Sequence, residues 1–274
     1  MALTRSEQNR PIELVDWPEA SVAPAFPARE IHLWRAKLDL GAETTAGFRR
    51  HLAPGEVARA GRYRRAIDRD RFVVALGTLR VLLGRYLARD PAALRFQYIC
   101  ACGRPDCPPE QRKPTLNPAS GGDWLHFNVS HAEGLALYAL ARARHVGVDL
   151  ELFRADLDPA ELAPTVLAEQ EWATLAALPL GDQQIQFFQR WTAKEAYLKA
   201  RGVGLSLPPK QIVLAMDEWD ALKIVSVAGD ESEGDRWSLH VVALIAGYAA
   251  ALVSAGSAAT VRTFTFPQGP ATAP

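Results

Sequence analysis

The sequence predicts an α+β fold in which two similar α/β halves form a pseudo-twofold arrangement with the active-site cleft between them. Three observations carry this. Alternating apolar and polar runs, the mark of half-buried strands, open each part of the chain at Glu30-Ile-His-Leu-Trp-Arg-Ala-Lys-Leu-Asp and at Val146-Gly-Val-Asp-Leu-Glu-Leu. Each run is followed by a shorter and then a longer helical segment. Several strands ending in a hairpin complete each part, so the repeat is one of element order rather than residue identity. The order divides the chain into an extended N-terminal arm (1–29), a first half (30–142), a second half (143–256) and a C-terminal tail (257–274).

Residues 1–29 hold Pro11, Pro18, Pro24 and Pro27 with little periodicity, which reads as a loosely attached arm. Pro54 marks the start of an Arg-rich helix reaching about Arg65, and Asp68 opens a longer one to about Arg89. In the longer helix Phe72, Ala75, Leu76, Leu79, Leu82, Leu83 and Tyr86 recur at helical spacing and make one core face. Cys100, Cys102 and Cys107 follow among Pro105, Pro108 and Pro109. With His126 they offer four possible metal donors, but the spacing is not that of a zinc knuckle, and a surface loop with reduced thiols is the expectation.

Trp124–Val129 and Leu135–Leu140 then flank His131-Ala-Glu-Gly134 as a hairpin. Helical segments around Ala168–Ala177 and Asp182–Arg201 follow, the second stopped by Gly202 and Gly204. Strands are expected at 211–215, 237–243 and 247–253.

The 274 residues are 49% apolar, with 31 basic and 31 acidic side chains, so a large core is available and no global field selects nucleic acid or a membrane as partner. Any anion site must be local. No signal-like stretch opens the chain and none is long enough to span a bilayer, so the expectation is a cytoplasmic protein. The internal pseudosymmetry points to a monomer, since the cleft lies within one chain.

The chemistry lies in four motifs. In Val146-Gly147-Val148-Asp149-Leu150-Glu151-Leu152 the strand period puts Asp149 and Glu151 on one face beside Gly147, which leaves room for a ligand to approach the backbone. Two carboxylates about 6–7 Å apart call for an offsetting cation, Mg2+ above all, or else form a solvated acidic rim. On the second long helix Ile185, Phe188 and Trp191 form an apolar stripe whose next member is Glu195, so a partly buried carboxylate is expected. Its partner is Lys199 one turn on, or a metal held by Asp149 and Glu151; an ordinary exposed Glu-Lys pair is the alternative.

Phe127-Asn128-Val129-Ser130-His131 ends a strand at a turn that suits an anion. A Ser-His hydrolase is not implied, because neighbours on a strand face opposite ways and no Gly-x-Ser-x-Gly elbow occurs. The run Arg49, Arg50, Arg59, Arg62, Arg64, Arg65, Arg69 and Arg71 suits phosphates or an acidic partner, or is a solvated helix face.

In their shared order these motifs resemble the pseudodimeric 4'-phosphopantetheinyl transferases of the surfactin-synthetase-activating type, over roughly residues 30–255. Gly147-Val-Asp149-Leu-Glu151 and Trp191-x-x-Lys194-Glu195-x-x-x-Lys199 are the most specific parts, supported by Arg71, Arg80, Lys113-Pro114, Phe127-Asn-Val-Ser130-His131 and Gly204-Leu-Ser-Leu-Pro208. The resemblance implies Mg2+ as cofactor, held by Asp149, Glu151 and Glu195, and coenzyme A as co-substrate. It implies Arg59, Arg71, Ser130 and His131 around the 3'-phosphate and nearby oxygens, Lys113 near the nucleotide and Lys199 on a phosphate. Glu171 is similar to a further family acid near the metal.

The implied reaction moves phosphopantetheine from coenzyme A to a serine of an apo acyl or peptidyl carrier protein. Asp149, Glu195 and Lys199 are its catalytic set, with Glu195 or a metal-bound water as base. A coenzyme A binding module without catalysis, or another Mg2+-dependent phosphoryl or nucleotidyl transferase, are the alternatives. The arm, the cysteine loop and the tail depart from the family pattern and bear on carrier choice. The Arg-rich first half suits an acidic carrier.

Overall fold

A computed structural model describes residues 18–99, 113–154, 156–218, 221–243, 247–257 and 259–267. Cys100, Cys102 and Cys107 lie outside the described residues. The chain is a mixed α+β protein. Its first strand, β1 (Glu30–Lys37), is buried along most of its length. Helices α1 (Ala42–Arg49), α2 (Pro54–Ala60) and α3 (Ala66–Leu87) follow. Strands β2 (Phe96–Ile99) and β3 (Lys113–Leu116) form one ladder, and β4 (Leu125–Ala132) with β5 (Leu135–Arg142) form the expected hairpin.

The second part of the chain follows this hairpin. Strand β6 (Val146–Leu152) leads into α4 (Pro159–Val166), α5 (Glu169–Ala176) and α6 (Leu180–Arg201). Strands β7 (Ile212–Met216) and β8 (Leu222–Val227), a short α7 (Glu233–Arg236), then β9 (Trp237–Val241), β10 (Tyr248–Ala255) and β11 (Thr260–Thr265) complete it.

Two sheets, ordered β11-β1-β5-β4 and β6-β10-β9, supply the framework. They pack face to face through Ile31, Leu33, Leu137 and Ala139 of one against Val146, Val148, Leu150 and Leu252 of the other. The opposite face of the first sheet, with Trp34, Tyr138 and Leu140, takes α3 through Val74, Leu79 and Leu82. On the second sheet α6 covers Ala251 and Val253 through Ala193, Ala196 and Ala200. Alternation along each strand, with both faces covered, explains why β5 is buried at every position but its last.

Several expectations are corrected. The first Arg-rich helix ends at Ala60 rather than near Arg65, because the chain turns at Gly61 and Arg65 caps the next helix in an extended conformation. Helix α3 does not show one core face: from Val73 to Gly84 nearly every residue is buried, since α1 closes it on a side the sheet does not reach. Phe48 of α1 sits so close that a side chain on Gly77 would meet its Cβ at 2.7 Å. The stripe on α6 fails at its first member: Ile185 is exposed while Phe187 is fully buried. Three residues turn a helix by about 300°, so a three-residue stripe drifts about 60° per step and leaves the core within two steps.

The expected tail contains β11, which runs parallel to β1 from Glu30↔Thr260 to Arg35↔Thr265 and buries Phe264 and Phe266. The end of the expected loose arm is bonded to it, with Ala20 N donating to Thr265 O at 3.2 Å and Thr265 N to Pro18 O at 2.8 Å. Thr260-Val-Arg-Thr-Phe-Thr alternates as a strand should, and pairing with it satisfies the open edge of β1.

Candidate active site

Strand β6 sets the site. One of its faces carries Gly147, Asp149 and Glu151, and Gly147 meets α6. A Cβ on Gly147 would stand 2.1 Å from Ala196 O and 2.4 Å from Ala200 N. Its missing side chain therefore admits the backbone of α6, not a ligand as expected, and locks the helix against the acids. Between Trp191 and Ala200 every residue of α6 is buried except Trp191, Glu195 and Lys199, which are half-buried. Their four-residue spacing makes one line along the helix.

On the other side β4 lies beside β6 without forming a ladder with it. Asn128 bridges the two, its Oδ1 accepting from Val148 N at 2.8 Å. Two residues on, the Ser130 hydroxyl donates to Asp149 Oδ1 at 3.0 Å. Lys199 Nζ reaches both, at 2.5 Å from Asp149 Oδ1 and 3.0 Å from Ser130 Oγ. Asp149 is only 3% exposed and its second oxygen, Oδ2, is buried without a hydrogen-bond partner among the described residues. The role of Asn128 was not anticipated; its place two residues before Ser130 on the same strand face is the signal that marks it.

Burial, then the Asp149 charge, pushes the Glu151 carboxyl up to about 7, with Lys199 acting in the opposite direction. Burial and Asp149 also raise Glu195, again opposed by Lys199. His131 reaches solvent yet is walled by protein on most sides. That desolvation, with the Lys199 and Arg59 charges, holds its imidazole below the ordinary histidine range. The structure thus brings together Asp149, Glu151, Glu195, Lys199, Ser130, His131 and Arg59.

Arg71 and Glu171 have other partners, and of Lys113 only the backbone position is described. Arg71 grips Asp39 with Nε and Nη2 at 2.7 and 3.0 Å and Glu133 with Nη1 at 2.6 Å, which fastens the β4–β5 turn to the end of β1. Lys113 begins β3, opposite Ile99. Glu171 is not at the acid cluster. It lies buried on a different side of α6, its Oε2 2.5 Å from Lys194 Nζ and 2.7 Å from Ala168 N, and its Oε1 3.1 Å from Leu214 N. Lys194 and Glu195 are adjacent on the helix and point about 100° apart, so a partner of one is not a partner of the other.

Among the described residues no three acids, histidines or cysteines already form a metal cage. A few carboxylate oxygens are nonetheless sufficient for Mg2+, which keeps waters and takes substrate phosphates as its other ligands. Near this cluster, between α2 and β2, a cavity of about 870 Å3 is lined by Arg59, Arg62, Arg95, Tyr63, Phe96 and Tyr98. Arg59 belongs to both places. Its guanidinium lies 5.1 Å from the centre of the Phe72 ring and its charge acts on His131.

Residues 145–253 match the family model of the 4'-phosphopantetheinyl transferase superfamily. The chain is 38% identical over 178 residues to the 4'-phosphopantetheinyl transferase HetI of Nostoc sp., covering 65% of this chain and 70% of that protein. It is 32% identical over 200 residues to a putative 4'-phosphopantetheinyl transferase of Synechocystis sp., covering 73% and 75%. To the 4'-phosphopantetheinyl transferase Sfp of Bacillus subtilis it is 24% identical over 169 residues, covering 62% and 68%. The matched family span contains β6 with its two acids and α6 with Glu195 and Lys199, and the alignments to HetI and to the Synechocystis protein extend over more than two thirds of those proteins, so the chain belongs to the 4'-phosphopantetheinyl transferase superfamily.

Proposed function

We propose that this phosphopantetheinyl transferase takes coenzyme A as donor and a serine of an apo acyl or peptidyl carrier protein as acceptor, with Asp149, Glu151 and Glu195 holding Mg2+. The observation that carries the reading is Asp149: a buried carboxylate with one oxygen shared by Ser130 and Lys199 and the other without a hydrogen-bond partner among the described residues. A buried acceptor left open is costly unless a cation or donor completes it. The neighbouring Glu151 and Glu195 make the donor set all oxygen, which suits a hard divalent ion. When bound, that ion would supply charge stabilisation to the phosphoryl oxygens.

The chain's own residues do the rest. In the proposed reaction the serine oxygen of the carrier forms a bond to the β-phosphorus of coenzyme A. The bond from that phosphorus to the bridging pyrophosphate oxygen breaks, and adenosine 3',5'-bisphosphate leaves. Glu195, beside Asp149 and Glu151 and in line with Lys199 on α6, takes the hydroxyl proton. The Lys199 ammonium stands where charge builds on the pyrophosphate, which is where most catalysis of phosphoryl transfer lies. Arg59 and His131 face the 3'-phosphate, Lys113 is assigned to the nucleotide by family resemblance, and the arginine-lined cavity beside Arg59 has room for the adenosine end. Arg71 acts by holding the turn after Ser130 and His131 in place.

The same reading includes a pseudo-twofold relation between halves 30–142 and 143–256. Its support is a matched pair of buried ion pairs. Glu56 of α2 and Glu171 of α5 are each the third residue of their helix, and each accepts from the backbone N–H three residues earlier. Glu56 holds Arg80 and Glu171 holds Lys194. Arg80 and Lys194 each stand 14 positions after the first residue of a 22-residue helix, α3 or α6.

The test is the intact mass of an apo carrier protein after incubation with this protein, coenzyme A and Mg2+, with a chelator control. A gain of one phosphopantetheine that chelator abolishes is expected. No gain across several acyl and peptidyl carriers would overturn the reading.

A further inference from the structure

The position of Lys199 carries a consequence for the order in which the site fills. Its backbone is fixed, because α6 lies directly on Gly147 of β6 through Ala196 and Ala200. Its side chain is not: it is 31% exposed, against 4% for the Asp149 side chain that it meets. The ammonium reaches in from the open side and sits on the one carboxylate at the centre of the cluster, sharing it with Ser130. Three carboxylates gathered on β6 and α6 repel unless a cation lies among them, and here the chain provides it.

We propose that Lys199 is the site's internal counter-ion, and that it leaves Asp149 for the pyrophosphate of coenzyme A as a divalent cation takes its place, so that cation and coenzyme A bind cooperatively. This rests on the reading of the acids and of coenzyme A given above. An ammonium 2.5 Å from Asp149 Oδ1 repels a dication brought to the same oxygens. The pyrophosphate relieves that repulsion by offering the half-exposed ammonium a second anion. Because binding free energies are reciprocal, whatever coenzyme A does for the cation the cation does for coenzyme A.

The test is calorimetric titration of the full chain with Mn2+, alone and with saturating coenzyme A, in the absence of any carrier so that no turnover occurs. The native protein should bind Mn2+ weakly alone and about 10-fold or more tightly with coenzyme A, a typical coupling between sites. Lys199→Met should bind Mn2+ alone about 10-fold more tightly than the native protein, and its gain from coenzyme A should shrink several-fold. Lys199→Arg keeps the charge and should stay weak alone, which separates charge from packing. If Lys199→Met binds Mn2+ alone no more tightly than the native protein, the counter-ion role is refuted while the metal site stands. If no protein binds Mn2+ under either condition, the assignment of the acids fails with it.

Discussion

Replacing Glu171 with alanine separates two roles that a carboxylate near a cluster of acids can have. As a metal ligand it would be held against repulsion, and its removal would spare or even raise stability while abolishing transfer. The structure gives it the other role. Lys194 is fully buried, and its ammonium has two acceptors, Glu171 Oε2 at 2.5 Å and Val166 O at 2.8 Å. Without the carboxylate a buried charge keeps one neutral carbonyl, a change that costs about 3–5 kcal/mol. The buried N–H of Leu214 loses its acceptor as well, about 1 kcal/mol more.

For a chain of this size each kcal/mol lowers the melting temperature by roughly 2–4 °C, so Glu171→Ala should melt about 10 °C or more below the native protein. The measurement is thermal or guanidinium unfolding with chelator present, so that no metal contributes. Glu171→Gln, which keeps the shape and one acceptor oxygen, should fall between the two. A Glu171→Ala protein that unfolds at the native midpoint but no longer transfers phosphopantetheine would refute the ion-pair argument and return Glu171 to the site.

The remaining predictions use other measurements. Asp149→Ala should lose transfer by about 100-fold or more while unfolding within a few degrees of the native protein, since it relieves repulsion with Glu151 and Glu195; an unfolded variant would count against the assignment. Gly147→Ala should destabilise by about 3 kcal/mol in denaturant titration, because its Cβ meets the backbone of Ala196 and Ala200 and α6 must shift. An unchanged midpoint would show that α6 is not seated as described.

Burial lowers His240 to about 4, so the folded state keeps it neutral where the unfolded chain binds a proton. Its contribution is whole above about pH 6.5 and is lost as pH falls toward 4, roughly 3 kcal/mol in all. In His240→Gln that loss should vanish from the pH dependence of unfolding, and parallel native and variant profiles would contradict it.

The fates of four charged residues show what a sequence discloses of such a fold. Asp149 and Glu151 were legible because the strand period that buries Val148 and Leu150 also places both acids on the opposite face, so one pattern yields element and site together. Glu195 was legible because it interrupts an apolar helix, although the stripe used to find it was anchored on Ile185, which is exposed. Glu171 misled, being an acid in a motif-rich region whose partner Lys194 lies 23 positions on. Nothing local distinguishes a carboxylate that meets a buried ammonium from one that joins the acid cluster of β6 and α6.

Arg71 and Arg80 make the same point on one helix. Both are arginines on α3, and only tertiary structure sends one to Asp39 and Glu133 at a turn and the other to Glu56 in the core. Helix α1 and strand β11 escaped for a related reason. Eight residues of α1 gain their stability from packing Phe48 on Gly77, and β11 gains its own by pairing with a strand that begins 230 positions earlier. Periodicity reports which face of an element is apolar; it is silent on which distant element will cover that face. The site itself belongs mostly to the first kind of information, since Asp149, Glu151, Glu195 and Lys199 lie on two elements of one half. The contact that completes it, Ser130 and Asn128 reaching across from β4, belongs to the second.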